Sequence, residues 1–263
     1  MKILVAGDVV GRPGREAVSF FIPRLREKEN LDLVIANGEN AAGGSGLTPK
    51  IVKELLSSGI DVITSGDHIW KKKEVIEIIP KENRLLRPAN YPDNVPGKGH
   101  VILSLKDSIK VAVINLMGRV FMKPLECPFK TVKELLDKIK EETPIVIIDF
   151  HAEATSEKVA MGWFLDGQVS CVLGTHTHIQ TSDERILPKG AAYITDLGMT
   201  GSIDSVLGRR PEQVLEHFLT GMPAKFEMAK ENVQLQGVIV DVDENSGKAR
   251  TIKRVKLKLD EVK

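Results

Sequence analysis

The stretch "VSCVLGTHTH" (residues 169–178) joins a short apolar run to two histidines that stand one residue apart. A short apolar run bounded by a glycine is typical of a strand that is buried on both faces. Side chains alternate along an extended strand, so His176 and His178 can point the same way. Two imidazoles directed from one strand end suggest a metal site, whose remaining ligands must come from elsewhere in the chain.

The same apolar pattern recurs along the chain and predicts the fold class. Short β-branched runs, mostly separated by amphipathic segments, occupy residues 2–7, 31–38, 60–66, 109–116, 144–150, 169–174 and 191–196. Most are apolar nearly throughout, as in a sheet covered by helices. Residues 235–257 instead alternate around the polar turn "DENSGK" (243–248) and predict a hairpin. We expect one α/β domain over residues 1–263, with mixed strand pairing towards its C-terminus.

Capping residues mark the ends of the intervening helices. Thr48 followed by Pro49 predicts a helix start, and Gly59 predicts the end of that helix. Thr131 and Glu134 have the spacing of a capping box and predict a second start.

Composition excludes several classes of partner. The 263 residues carry a formal net charge of +1, which gives no reason to expect stable nucleic-acid binding or an anionic membrane surface as partner. The apolar stretch at the N-terminus is interrupted by Gly7 and Asp8, too early for an export signal or a membrane span. The two cysteines form no metal-binding pattern, and a reducing cytoplasm is the simpler interpretation. A homo-oligomer is compatible with this composition.

Polar residues follow five of the predicted strands. In open α/β sheets, ligand sites gather at the carboxyl ends of strands, so these residues can meet in one crevice. Each residue also has a structural alternative, such as a helix cap for Asp8 or Asp67, a turn for "NGEN" (37–40), or a hydrogen-bonded core histidine for His151. The residues in question are Asp8, Glu39, Asn40, Asp67, His68, His151, His176 and His178.

This donor set is typical of a pair of transition-metal ions. Apart from Asn40 and His68, it consists of three carboxylates and three imidazoles, and no thiolate is placed for a softer metal. Two ions about 3.5–4 Å apart would share a bridging carboxylate and generate a bridging hydroxide at neutral pH. Such a hydroxide can attack phosphorus, which makes hydrolysis of a phosphate ester the indicated chemistry.

Assembled, these segments resemble the calcineurin-like metallophosphoesterases, and most closely the YmdB-type bacterial branch. The matching blocks are "GDVVGRPGR" (7–15), "NGENAAGG" (37–44), "NLMGRVFM" (115–122), "DFHAEATSEK" (149–158) and "GTHTHIQTSDERILPKGAAYITDLGMTG" (174–201). The resemblance implies a four-layer αββα sandwich. It also implies a dimetal phosphodiesterase that hydrolyses small cyclic nucleotides, such as 2′,3′-cyclic AMP, by attack of the bridging hydroxide.

The resemblance also implies a role for each site residue. Asp8, Asn40 and His178 would hold the first metal, Glu39 would bridge, and Asp67, His151 and His176 would hold the second. His68 would be the general acid, and the metals would be iron, with manganese as an alternative. The family usually has Asn where this chain has Asp67. Residues that contact the substrate are left unassigned.

Two interpretations from other classes remain. Gly7, Gly11 and Gly14 lie between a strand and a helix, as in a metal-free nucleotide-binding module, although their spacing is not GxGxxG. The second interpretation is a regulatory protein, which keeps the metal site but acts through partners and has no turnover. The glycines of "AAGGSG" (41–46) predict a flexible loop beside the metals.

Overall fold

The computed structural model describes residues 1–259 of the chain. The strands within this range are β1 (Lys2–Ala6), β2 (Asp8–Val9), β3 (Leu33–Asn37), β4 (Val62–Thr64), β5 (His100–Ser104), β6 (Lys110–Met117), β7 (Val146–His151), β8 (Cys171–Thr175), β9 (Arg185–Ile186), β10 (Ala192–Ile194), β11 (Met199–Ser202), β12 (Val233–Val242) and β13 (Ala249–Lys258). The helices are α1 (Gly11–Glu29), α2 (Pro49–Ser57), α3 (Val75–Ile78), α4 (Pro128–Ile139), α5 (Thr155–Leu165) and α6 (Pro211–Thr220).

The strands form two sheets. The first has seven strands in the order β2-β11-β12-β1-β3-β4, with β13 paired to β12, and the second has six in the order β5-β6-β7-β8-β10-β9. β1, β3 and β4 run parallel, whereas β12 lies antiparallel to β1, from Lys2 opposite Asp241 to Ala6 opposite Gly237. The predicted mixed pairing is therefore confirmed, and β12 and β13 form the predicted hairpin.

Three hydrophobic clusters separate the layers. Val18, Ile22 and Leu55 of α1 and α2 pack on the outer face of the first sheet. A second cluster fills the space between the sheets, and a third joins the second sheet to α4 and α5. Because strands such as β3 and β8 are buried on both faces, their sequences have no polar residue before the last one, Asn37 in β3 and Thr175 in β8. The four-layer αββα sandwich is confirmed.

One of the two predicted helix starts is confirmed and the other is wrong. Thr48 caps α2 as predicted, since its hydroxyl accepts a hydrogen bond from the Ile51 amide at 3.4 Å. The capping box at Thr131 is wrong, because α4 begins at Pro128 with Cys127 as its N-cap. Proline suits the first helical turn, where its missing N–H costs nothing.

The N-terminal glycines serve close packing. A Cβ on Gly7 would lie 2.0 Å from the carbonyl oxygen of Gly198, and one on Gly14 would lie 2.2 Å from that of Thr200. Both positions therefore let the chain from β1 to α1 approach β11. Within the described residues, no helix has the length and apolar character needed to cross a membrane.

Candidate metal centre

The carboxyl ends of parallel strands from both sheets meet at one place. In the first sheet, β1, β3 and β4 lead into Asp8, Glu39–Asn40 and Asp67–His68. In the second, β7 ends at His151, and β8 leads into His176 and His178. All eight predicted site residues therefore lie together, because the two sheets present their strand ends to the same crevice.

Four of these side chains form one tight cluster. Glu39, Asp67, His151 and His176 each offer a ligand atom, and these atoms all lie within 4.8 Å of one another. His151 Nε2 is 3.2 Å from Glu39 Oε1 and 3.0 Å from His176 Nδ1. It is also 3.5 Å from Asp67 Oδ1. Two carboxylates and two imidazoles at this spacing are a donor set for a divalent transition metal.

Asp67 shows that the cluster fits a cation. Its Oδ1 is buried and has no hydrogen-bond partner within residues 1–259. A buried carboxylate oxygen without a partner is costly, and a bound cation would remove that cost.

Asp8, Asn40 and His178 form a second group beside the first. Asn40 Nδ2 lies 3.4 Å from Asp8 Oδ1, 3.2 Å from Glu39 Oε1 and 3.2 Å from His178 Nε2. This amide nitrogen stands among three acceptors, where a cation would also be favoured. Ligation by Asn40 requires its Oδ1 instead, so the amide must turn by about 180°, a change that hardly alters its shape.

Charge is balanced internally in the cluster. Burial would lower the pKa of His151, but the neighbouring Glu39 and Asp67 carboxylates outweigh it and raise that pKa well above its usual value. Burial would likewise raise the pKa of Glu39 and of Asp67, yet contacts with His151 lower both. Burial raises the pKa of Asp8 to about 6, and burial together with His151 lowers that of His176 to about 4. A bound metal ion would balance the negative charges of Glu39 and Asp67 in place of the proton on His151.

The loop after β8 differs from the extended geometry expected for it. β8 ends at Thr175, and His176 and His178 have φ values of +100° and +65°. The alternation of an extended strand therefore does not apply. His176 joins His151 and Asp67, while His178 joins Asn40 and Asp8, so each histidine belongs to a different group.

A buried ion pair anchors this loop. The Asp196 carboxylate accepts hydrogen bonds from the Thr177 amide at 3.1 Å and the Thr177 hydroxyl at 2.7 Å. Lys158 Nζ donates to the same carboxylate at 2.7 Å, and both charged side chains are almost completely buried. Thr177 is thereby fixed between the two histidines.

Other supporting residues were missed by sequence reasoning. Thr175 Oγ1 donates to the buried Asp149 at 2.6 Å and lies 3.0 Å from His151 Nδ1, from which it can accept. This series of hydrogen bonds keeps the hydrogen of His151 on Nδ1 and directs its Nε2 into the site. Metal-binding histidines commonly have such a partner on the second ring nitrogen. Glu153 Oε2 lies 3.0 Å from His176 Nε2. Glu153 stands two residues after His151, so the strand-end rule applied to β7 could have found it.

Gly66 leaves room for the His151 ring. A Cβ at this position would lie 2.1 Å from His151 Cδ2 and 2.2 Å from His151 Nε2. The glycine before Asp67 and His68 is therefore needed for the imidazole to occupy its place.

His68 lies at the solvent side of the centre. Its amide donates to Glu39 Oε2 at 2.9 Å, and its Nδ1 lies 2.7 Å from Asn40 Oδ1. Its Nε2 is 3.7 Å from Asp67 Oδ2, and the side chain is 30% exposed. His68 thus touches both groups of donors and remains accessible to a bound substrate.

Comparison with known proteins agrees with this geometry. The family described as "YmdB-like protein" matches residues 4–255. The chain is 49% identical over 255 residues to the 2′,3′-cyclic-nucleotide 2′-phosphodiesterase of Bacillus subtilis (strain 168), covering 97% of this chain and 96% of that protein.

Two crystal structures have the same fold. A hypothetical protein from Thermus thermophilus is 40% identical, with a TM-score of 0.92 over 98% of this chain and 99% of that one. A novel phosphatase from Mycoplasma pneumoniae is 37% identical, with a TM-score of 0.92 over 98% of this chain and 93% of that one. The chain therefore belongs to the YmdB-like family.

Proposed function

We propose that this protein is a metal-dependent phosphodiesterase that hydrolyses small 2′,3′-cyclic nucleotides. The observation that carries the proposal is the convergence of the Glu39, Asp67, His151 and His176 ligand atoms within 4.8 Å of one another. The substrate class is supported by the name of the Bacillus subtilis relative at 49% identity.

Two metal ions are proposed, with a ligand set for each. Asp8, Asn40 and His178 would hold one ion and Asp67, His151 and His176 the other, with Glu39 between them. Carboxylate and imidazole donors suit iron and also manganese, and iron is the metal that we propose. We propose a cytoplasmic location, which the free thiols of Cys127 and Cys171 support.

The chain's own residues would position the substrate and move a proton. When bound, the ions supply Lewis acidity for the phosphoryl group and an activated water as nucleophile. Attack on phosphorus breaks the bond to O2′ and leaves a 3′-phosphate. The departing oxygen needs a proton, and we propose that His68 donates it.

The metal cluster favours this function over a metal-free nucleotide-binding module. The glycines that suggested such a module have structural explanations. Gly7 and Gly14 lie against the backbone of β11 and its preceding turn, and Gly11 has a φ of +61°. A regulatory protein without turnover keeps the same cluster, so only an activity measurement separates it from the enzyme.

The test combines metal analysis with turnover. The purified protein should contain two metal ions per chain and convert 2′,3′-cyclic AMP to 3′-AMP. His151→Ala and His176→Ala should each lose bound metal and hydrolysis together, because each removes a ligand.

His100→Ala is the matched control. His100 begins β5, away from the cluster, and its replacement should change neither metal content nor turnover. Full metal occupancy with unchanged turnover in either ligand variant would overturn the assignment. Two bound metals in the wild type without hydrolysis of any phosphodiester would favour the regulatory interpretation.

A further inference from the structure

A cavity of about 420 Å³ extends from the metal centre to α6. Its polar side is formed by site residues that include His68, His176 and His178. Its other side is apolar and is formed by Leu207, Val214, Phe218 and Phe226. This volume lies in the usual range for small-molecule sites, which combine an apolar lining with a few polar groups.

The apolar side is an aromatic surface open to solvent. The Phe218 side chain is 78% exposed although it faces a catalytic crevice. The His217 ring lies 6.0 Å from the Phe218 ring and 5.7 Å from the Phe226 ring, so the three rings form one surface. His217 Nδ1 lies 2.6 Å from the Met222 carbonyl oxygen, which holds the imidazole in place. A large exposed apolar patch beside a polar site indicates a binding partner.

Arg209 adds a positive charge to the same cavity. Its guanidinium donates to the carbonyl oxygens of Gly43 at 3.2 Å and Gly44 at 2.9 Å, and Arg209 lines the cavity together with the metal-site residues and the aromatic rings. These bonds also tie down the glycine loop that the sequence predicts to be flexible. An occupant that matches the cavity has an anionic group at one end and a flat apolar ring at the other.

We propose that Leu207, Phe218 and Phe226 form the subsite that binds the base of a nucleoside cyclic phosphate. The inference rests on the proposed function, since it places the cyclic phosphate at the metal centre. Phenylalanine rings contact the π-face of any base and read no hydrogen-bond pattern, so the subsite should accept all four bases. The residues named here are substrate-binding residues for which the sequence offered no assignment.

The test compares a substrate that has a base with one that lacks it. Phe218→Ala should lower kcat/KM for 2′,3′-cyclic AMP by about five-fold or more, mainly through KM, because a stacking contact is lost. The same variant should hydrolyse glycerol 1,2-cyclic phosphate within about two-fold of the wild type, since this cyclic diester has no base. Phe218→Trp, which keeps a ring, should retain the preference for the nucleotide.

Leu219→Ala is the matched control. Leu219 is the next residue on α6 and is 85% exposed, but it does not line the cavity. Its replacement should leave both substrates unaffected. Equal losses on the two substrates in Phe218→Ala, or no loss on either, would overturn the proposal. A loss that follows dissociation of a dimer, measured by sedimentation, would identify the surface as an interface between copies and would also overturn it.

Direct binding separates the subsite from the reaction. Calorimetry on the metal-loaded protein should show that adenosine 3′-phosphate binds more tightly than glycerol phosphate, and that Phe218→Ala removes the difference. If the wild type cleaves neither substrate, the proposed function fails while this measurement still decides the subsite. Equal binding of the two phosphates by the wild type would show that no base subsite exists.

Discussion

At the scale of single residues, Asp67 stands where the family resemblance leads us to expect an asparagine. Its Oδ1 is buried without a hydrogen-bond partner within residues 1–259, and its Oδ2 lies 3.7 Å from His68 Nε2. In the proposed ligand set, Asp67, Asp8 and Glu39 would bring three negative charges to two divalent ions. Extra anionic ligation weakens the ions as Lewis acids and raises the pKa of a water bound to them.

Asp67→Asn should therefore keep both metals and raise activity with divalent ions. Removing one negative charge lowers the pKa of the bound water, so the rising part of the pH–rate profile should move to lower pH. Kinetics across pH, with metal content measured in parallel, checks this. An unchanged profile with both metals bound would contradict the charge argument.

His68→Ala should separate proton donation from metal binding. A general acid matters most when the leaving group is poor, so loss of His68 should cripple hydrolysis of a ribose cyclic phosphate. Hydrolysis of an activated nitrophenyl phosphodiester should fall much less, because its leaving group needs no proton. Similar losses on the two substrates would argue against the acid role, and loss of metal would make His68 a ligand.

At the scale of elements, the loop after β8 depends on contacts far from it in sequence. His176 and His178 both have positive φ, which is uncommon for residues other than glycine and costs about 1–3 kcal/mol each. Asp196 and Lys158 supply the fixed, buried partners that hold Thr177 between them. The loop conformation is thus maintained by α5 and the chain after β10.

Lys158→Met should destabilise the protein by about 3–5 kcal/mol, because it leaves the Asp196 carboxylate buried without its cation. Arg12→Ala is a suitable comparison, since it breaks an exposed ion pair with Glu16 whose side chains are 81% and 53% exposed. That change should cost less than about 1 kcal/mol. Urea unfolding measures the loss in free energy of unfolding in each of the two variants. Equal losses would contradict the anchoring role of Lys158.

At the scale of the whole molecule, the candidate metal centre is built from both sheets. Asp8, Glu39, Asn40 and Asp67 come from the first sheet, and His151, His176 and His178 come from the second. An ion that is bound by side chains from both sheets therefore connects the two sheets across the middle hydrophobic layer. Anything that binds only the folded state stabilises it.

Removal of metal by a chelator should lower the Tm of the wild type. Metal at about 100 times its Kd would contribute about 2.7 kcal/mol, and this stabilisation should be absent in His151→Ala. One cooperative transition in calorimetry is expected from the prediction that residues 1–263 form a single domain. Two transitions, with only one of them sensitive to metal, would contradict the single domain and the connection of the two sheets through the metal.

The sequence by itself determined the strands and the residues that follow them. The apolar runs before Asp8, Glu39 and His151 are strands because β-branched side chains buried on both faces produce a local, continuous pattern. Polar residues at the ends of such strands are equally visible in the sequence. Their grouping into two ligand sets came from the family resemblance, and the structure brings the members of each set together.

Only the tertiary structure decided how these residues are supported. The links from Asp149 through Thr175 to His151, and from Lys158 through Asp196 to Thr177, join elements that are distant in the chain and locally ordinary. Phe218 is a second example. In the sequence it belongs to the apolar face of an amphipathic helix, and only the tertiary structure shows that this helix, α6, lies beside the metal centre. Periodicity shows which face of an element is apolar, whereas its neighbours are set by how the sheets and helices pack.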